Sequence, residues 1–236
     1  MKKVYKYNIL NNFIQKMESK YKFDELMKER HTARDFQKKE IPEETLKEII
    51  KTALNCPSWC NSQTWKVYVV TGEPLENIRK EWISKNEQKI KGYSDIPPVH
   101  RVEFSQRCQK NMKDMMDNIK EETKDPELQT FWRKNVECFN APVVIYLTLL
   151  KGHSKWSNYD LGGFGLALML AAKDRGIDSI VAYELSKYPD ILRKYAKIPD
   201  DEDICAAIAF GYENEQALNK FRSKKNTLEE VCSFVK

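Results

Sequence analysis

The first group of residues able to do chemistry is the run Arg30-His31-Thr32-Ala33-Arg34, which places two guanidiniums and a hydroxyl within five positions. Arginine offers planar, paired donors that match a phosphate, so such a turn suits an anionic ligand. Taken alone, it is matched by the simpler account of a solvated helix end, where cations are favoured by the helix dipole. A second group is the polar loop Pro57-Ser58-Trp59-Cys60-Asn61-Ser62-Gln63-Thr64-Trp65. Asn61 and Gln63 can donate and accept together, which suits a heterocycle with both kinds of edge. An ordinary Ser/Asn-rich turn would look the same. The third is the basic stretch Arg222-Ser223-Lys224-Lys225, which by itself reads as a solvated face.

The elements around these groups alternate in type. Residues up to about Glu29 read as a helix with apolar positions at Ile9, Phe13 and Met17, and a second helix starts at Pro42 and carries Leu46, Ile49, Ile50 and Ala53. The runs 65–71, 142–149, 177–182 and 204–210 are rich in β-branched and other apolar residues and read as strands. An apolar helix over 161–172, ended by Gly176, and a short helix over 189–195 lie between them. The charged segment 74–140 is mainly helical, with breaks near 92–98 and at Asp125-Pro126. Helices separated by short strands argue for one layered α+β or α/β domain spanning residues 1–236.

The whole chain narrows the function. Forty basic and 35 acidic residues in 236 give a net charge of +5, spread without an arginine-aromatic cluster, so nucleic acid is not the expected partner. The longest apolar runs, 141–150 and 163–172, fall far short of the roughly 20 residues that cross a bilayer. No secretion signal is read in the opening residues, and six cysteines without C-x-x-C spacing point to reduced thiols in the cytoplasm. The three scattered histidines, His31, His100 and His153, do not predict a zinc site. Gly162, Gly163 and Gly165 lack the spacing of a dinucleotide fingerprint and read as close helix packing, and Trp156 and Tyr159 read as core aromatics.

In order and separation, RHTARDF (30–36), PSWCNSQTW (57–65), LGGFGLALMLAAKDRG (161–176) and IAFGY (208–212) together resemble the nitroreductase family. The match runs over roughly residues 24 to 232. The resemblance implies an α+β fold with a central, mainly antiparallel sheet flanked by helices, in an intertwined homodimer. It implies a non-covalent FMN held by Arg30, Arg34, Arg222 and Lys225, with His31 and Thr32 on the same turn. Pro57, Ser58 and Asn61 would come from the partner subunit, with Gln63 nearby and Trp59 beside the flavin, and backbone at Ala182 and Tyr183 would meet the flavin ring. The implied reaction moves two electrons from NADH or NADPH to a nitroaromatic, a quinone or another small electrophile, by ping-pong kinetics and without a catalytic side chain of its own. Dehalogenation, flavin cleavage, a flavin-binding redox sensor and a helical interaction module are the alternatives. Two positions depart from the pattern: Thr64 replaces a proline, and the bulky Trp59 replaces a small residue and would narrow the cavity. The tail 213–236 is expected to embrace the partner, because residues 213–227 look too polar for their own core while Leu228, Val231, Phe234 and Val235 need a hydrophobic surface.

Overall fold

The computed structural model describes residues 22–236. Four strands, β1 (Lys66–Thr71), β2 (Val143–Leu150), β3 (Asp178–Val181) and β4 (Glu202–Gly211), form one sheet in the order β1-β2-β4-β3. Every pairing is antiparallel. The strands β2 and β4 are central and read as near-continuous apolar runs, because helices cover both faces of the sheet. A bulge between Leu147 and Thr148 shifts the β2–β4 register.

The helices are α1 (Phe23–Glu29), α2 (Glu43–Ala53), α3 (Gly72–Glu87), α4 (Gln106–Thr123), α5 (Gln129–Val136), α6 (Lys155–Asp174), α7 (Pro189–Ala196), α8 (Ala217–Lys220) and α9 (Leu228–Val231). One core lies between the sheet and α3 and α7, around Trp82, Tyr146 and Leu192; the other lies under α2 and α6, around Trp65, Phe164 and Ile208. Trp65 stacks on Phe164 with ring centroids 4.6 Å apart, which locks the exit of the 57–65 loop onto α6. Gly165 faces Leu147 and Ile208, so this glycine does serve close helix–sheet packing.

The strands agree with the sequence expectation to within about two residues, and α1 is the described part of the first expected helix. Ile9, Phe13 and Met17 lie outside the described residues. Two expectations change. The apolar helix begins at Lys155 rather than 161, because Ser154 caps it by accepting from the Ser157 backbone N–H at 3.2 Å. Trp156 and Tyr159 therefore lie on its first turns and are exposed, not core. The polar arm of the tail also packs on its own chain: Leu218 and Phe221 are buried against Ile119 and Leu128. Two apolar residues placed three apart suffice to anchor an otherwise polar segment. Leu228, Val231, Phe234 and Val235, farther along the tail, are exposed.

Candidate functional site

The turn 30–36 is not a solvated helix end. It leaves α1, runs beside the free edge of β3 through a parallel bridge from Thr32 to Ser179, and then meets the tail where Phe36 pairs with Glu213. A Cβ on Gly211 would come within 2.7 Å of the Phe36 ring, so the F of the first motif and the G of the last are one packing contact. His31, Ala33, Arg34 and Asp35 are all buried.

Polar bonds fasten this turn to the tail. The Asn219 side chain accepts from the Arg34 backbone N–H at 2.6 Å and donates to the carbonyls of Asp35 and Asn214, each at 2.8 Å. The Asp35 carboxylate accepts from Asn140 at 3.0 Å and Asn214 at 3.1 Å, and pairs with Lys134 at 2.8 Å. Both ring nitrogens of His31 are engaged, Nδ1 with the Glu29 carbonyl at 2.9 Å and Nε2 with Glu213 at 2.7 Å. That ring braces the turn, and any ligand contact from His31 falls to its backbone. His31, Asp178 and Glu213 approach closely enough to suggest a metal, but Lys173 pairs with Asp178 at 2.8 Å and His31 with Glu213. Each of the two carboxylates already has a partner.

The cations are arranged differently. Arg34 donates to the Thr32 carbonyl at 3.1 Å and lies over the Phe221 ring. Arg222 donates to the carbonyls of Asn219 and Phe221. Among the described residues neither guanidinium has a carboxylate partner, although they are close enough that Arg222 helps to depress Arg34. Burial and then this neighbour lower Arg34 to about 10. Arg30 has no side-chain partner among the described residues, and Lys225 donates only to Ser223, at 3.0 Å. Ala182 and Tyr183 follow β3 directly, so they stand at the end of the strand that Thr32 flanks.

The second motif forms a separate, exposed loop ahead of β1. Ser58 Oγ accepts from the Gln63 N–H at 3.0 Å, and Asn61 Oδ1 accepts from Gln63 Nε2 at 3.1 Å. Cys60, Asn61 and Gln63 adopt φ of +50°, +59° and +43°, in the left-handed region that costs a non-glycine residue about 1–2 kcal/mol. The Trp59 N–H donates at 3.0 Å to Asp160, a buried carboxylate of α6. Asp160 and Asn219 were not singled out in the sequence. The signal for Asp160 was a lone acid inside an apolar helix; Asn219 carried none beyond its apolar neighbours Leu218 and Phe221.

A groove of about 330 Å³ opens between α6 and the β3–β4 edge, lined by Asn158, Gly162, Leu166, Val181 and Cys205 among others. Burial, and then Asp203, push the Cys205 thiol up to about 12, so it is no thiolate at neutral pH. Within one protomer the first and third motifs thus meet, while the loop of the second is tied to α6 rather than to the guanidiniums.

The profile of the Nitroreductase family matches residues 27–212. The nitrobenzene nitroreductase of Ectopseudomonas oleovorans is 29% identical over 223 residues, covering 90% of this chain and 96% of the relative. The chloronitrobenzene nitroreductase of Comamonas testosteroni is 26% identical over 226 residues, with the same coverage of 90% and 96%. The crystal structure of the FMN-dependent nitroreductase NfnB of Mycobacterium smegmatis in complex with NADPH superposes with a TM-score of 0.82 at 25% identity, covering 90% of this chain and 97% of that one.

Proposed function

This chain belongs to the nitroreductase family, and from that premise we propose that it passes electrons in pairs from NAD(P)H to nitroaromatic and related electrophilic acceptors. It is an FMN-containing oxidoreductase of the nitroreductase type. The observation that carries the site is the Arg34–Arg222 pair: two guanidiniums are brought together, one of them buried, without a carboxylate between them. Such an arrangement is unfavourable until an anion enters, and the FMN phosphate is an anion of the right charge and geometry. Arg30 and Lys225, not ion-paired among the described residues, complete the cradle, with Thr32 and the backbone of His31 on the same turn.

When bound, FMN supplies the hydride and electron chemistry, and the protein binds, orients and excludes water. Ala182 and Tyr183 offer backbone at the end of β3. Pro57, Ser58, Trp59, Asn61 and Gln63 of the partner subunit approach from the other side; Asn61 keeps its amide N–H, and Gln63 its carbonyl, free of partners among the described residues. A homodimer is favoured by the exposed apolar residues Leu166, Val181, Leu228, Val231, Phe234 and Val235. Ping-pong kinetics follow if one slot serves donor and acceptor in turn, and quinones would be competent acceptors. Among the described residues no helix is long and apolar enough to cross a membrane, and we place the enzyme in the cytoplasm.

The test is the absorption spectrum of the purified protein followed by initial rates with both substrates varied. Flavin bands and parallel double-reciprocal lines are expected. A protein without flavin after reconstitution refutes the cofactor, and intersecting lines refute the shared slot. A chain lacking residues 228–236 is expected to be monomeric by light scattering; an unchanged dimer would refute the role of the apolar tail.

A further inference from the structure

We propose that Trp59, Trp156 and Tyr159 form a stacking platform that selects flat, electron-poor aromatic acceptors over aliphatic ones. This rests on the 57–63 loop lying at the flavin, as proposed above, and goes beyond it by naming the residues that choose the acceptor.

Positions 156, 159, 160 and 163 share one face of α6, since residues three, four and seven apart stack along a helix. The loop is laid along that face. The Trp59 N–H bonds Asp160 at 3.0 Å, and the Cys56 sulfur lies 3.4 Å from where a Gly163 Cβ would be. Trp156 stands one turn before Asp160, the residue to which the Trp59 N–H is bonded. Trp156 and Tyr159 already hold each other edge to face, with centroids 6.0 Å apart and planes at 81°.

Exposure separates these rings from the rest of the helix. Trp59, Trp156 and Tyr159 are 62%, 61% and 76% exposed, whereas Leu161, Phe164 and Leu168 on the same helix are buried. One exposed ring needs no explanation, but an exposed pair in contact, on the helix end to which a strained loop with a third exposed ring is bonded, makes a patch of the kind that binds something. Their faces are electron-rich, and an aromatic ring drained by a nitro group presents the opposite polarity, so the two stack favourably. An aliphatic enone of similar size gains no such contact. The T-shaped pair is ordered in advance, so little side-chain freedom is lost on binding.

The test uses the FMN-loaded enzyme and its variants Trp156→Ala, Tyr159→Ala, the double variant, and Trp156→Phe. Steady-state constants are measured with nitrobenzene and with cyclohex-2-enone. The double variant should raise KM for nitrobenzene roughly tenfold, equivalent to about 1.4 kcal/mol, with KM for the enone changing less than about twofold. Trp156→Phe should restore most of the nitrobenzene KM, because a phenyl face still stacks. Flavin content and dimer mass are recorded for each protein. Equal changes for both acceptors, or none, overturn the platform. So does a fall from dimer to monomer with an unchanged nitrobenzene KM, which would make the aromatic pair a subunit contact. Wild-type protein that binds no flavin would instead overturn the cofactor assignment on which the platform rests.

Discussion

The cradle built from residues 30–36 and the tail, and the loop of residues 57–63, are both polar, yet they are held in opposite ways. In the cradle Asp35, Arg34 and Asn219 are buried, and Asp35 alone gathers two side-chain amides and Lys134. In the loop every residue from Ser58 to Thr64 is exposed or nearly so, and five short-range bonds accompany three residues at positive φ. Burial makes each cradle bond cooperative with the next, since a half-satisfied buried network costs more than none. The loop stores strain instead and depends on one external tie, Asp160. The difference teaches that the cradle proposed to hold the phosphate belongs to the core and is fixed by it. The ring end is a surface device, adjustable with little cost to the fold.

The most damaging way to break the cradle is Asp35→Leu. It leaves the half-buried Lys134 with only the more distant Glu137, at 3.8 Å, orphans the Asn140 amide and takes from the Asn214 amide one of its two acceptors. Removing one partner of a buried pair costs about 3–5 kcal/mol. For a chain of this length the melting temperature should fall by about 6–20 °C, with flavin lost in parallel, as calorimetry and absorbance would show. A variant that melts normally would mean that the turn and the tail are not coupled.

A smaller loss is expected for Arg30→Ala. One charge-assisted phosphate bond contributes about 1.5–3 kcal/mol, so FMN should bind roughly tenfold to a hundredfold more weakly. Lys224→Ala should change the FMN dissociation constant less than twofold, since Lys224 has no counterpart in the motif pattern that Arg30 opens. Equal constants for the two variants would contradict the arrangement.

The pH dependence sharpens the same point. Arg34 is lowered to about 10, chiefly by burial and then by Arg222. Because this cation is depressed in the folded chain, its burial penalty is present at every pH below about 10 and is relieved as pH rises toward its ordinary value of 12.5. FMN binding has the opposite sign, since the phosphate needs the charge. Affinity should hold between pH 7 and 9 and decline as pH passes about 10. Inorganic phosphate should raise the melting temperature of the flavin-free protein at pH 7. An affinity that rises above pH 10, or no response to phosphate, would exclude Arg34 from the anion site.

What could be seen in the sequence follows from the same division. The four strands and α2 were legible because their apolar residues repeat with a period that burial enforces, as at Leu46, Ile49 and Ala53. The two motifs and the basic tail were legible as candidates because guanidiniums and amides are unusual in such short runs. The brace was not. Asp35, Asn214 and Asn219 lie almost 180 residues apart and pair only after β4 returns the chain to the turn, so no local spacing records them. The start of α6 was misplaced because Trp156 and Tyr159 interrupt the apolar pattern by facing outward. Phe221 was read as part of a polar arm because its partners, Ile119 and Leu128, lie in the charged segment that showed least pattern.

The smallest effect on stability, and the sharpest test of the contrast, is expected at Asp160. Its carboxylate is buried, and among the described residues its one hydrogen bond is to the Trp59 N–H at 3.0 Å. A charge held out of water by a single bond repays little of its desolvation, so removing it relieves one penalty while giving up one bond. Asp160→Ala should therefore shift the melting temperature by no more than about 2–4 °C, which corresponds to roughly 1 kcal/mol. The loop should respond far more than the core. Without its tie, the loop is free to leave the left-handed backbone of Cys60, Asn61 and Gln63. Alkylation of the exposed Cys60 should report this as a changed rate, while Cys138, buried and with its thiol pushed up to about 12, stays unreactive in the folded chain. Asp160→Asn keeps an oxygen for the Trp59 N–H and should restore the wild-type rate at Cys60. If Asp160→Ala instead melts as early as Asp35→Leu, the loop is as much a part of the core as the cradle, and the contrast between them fails.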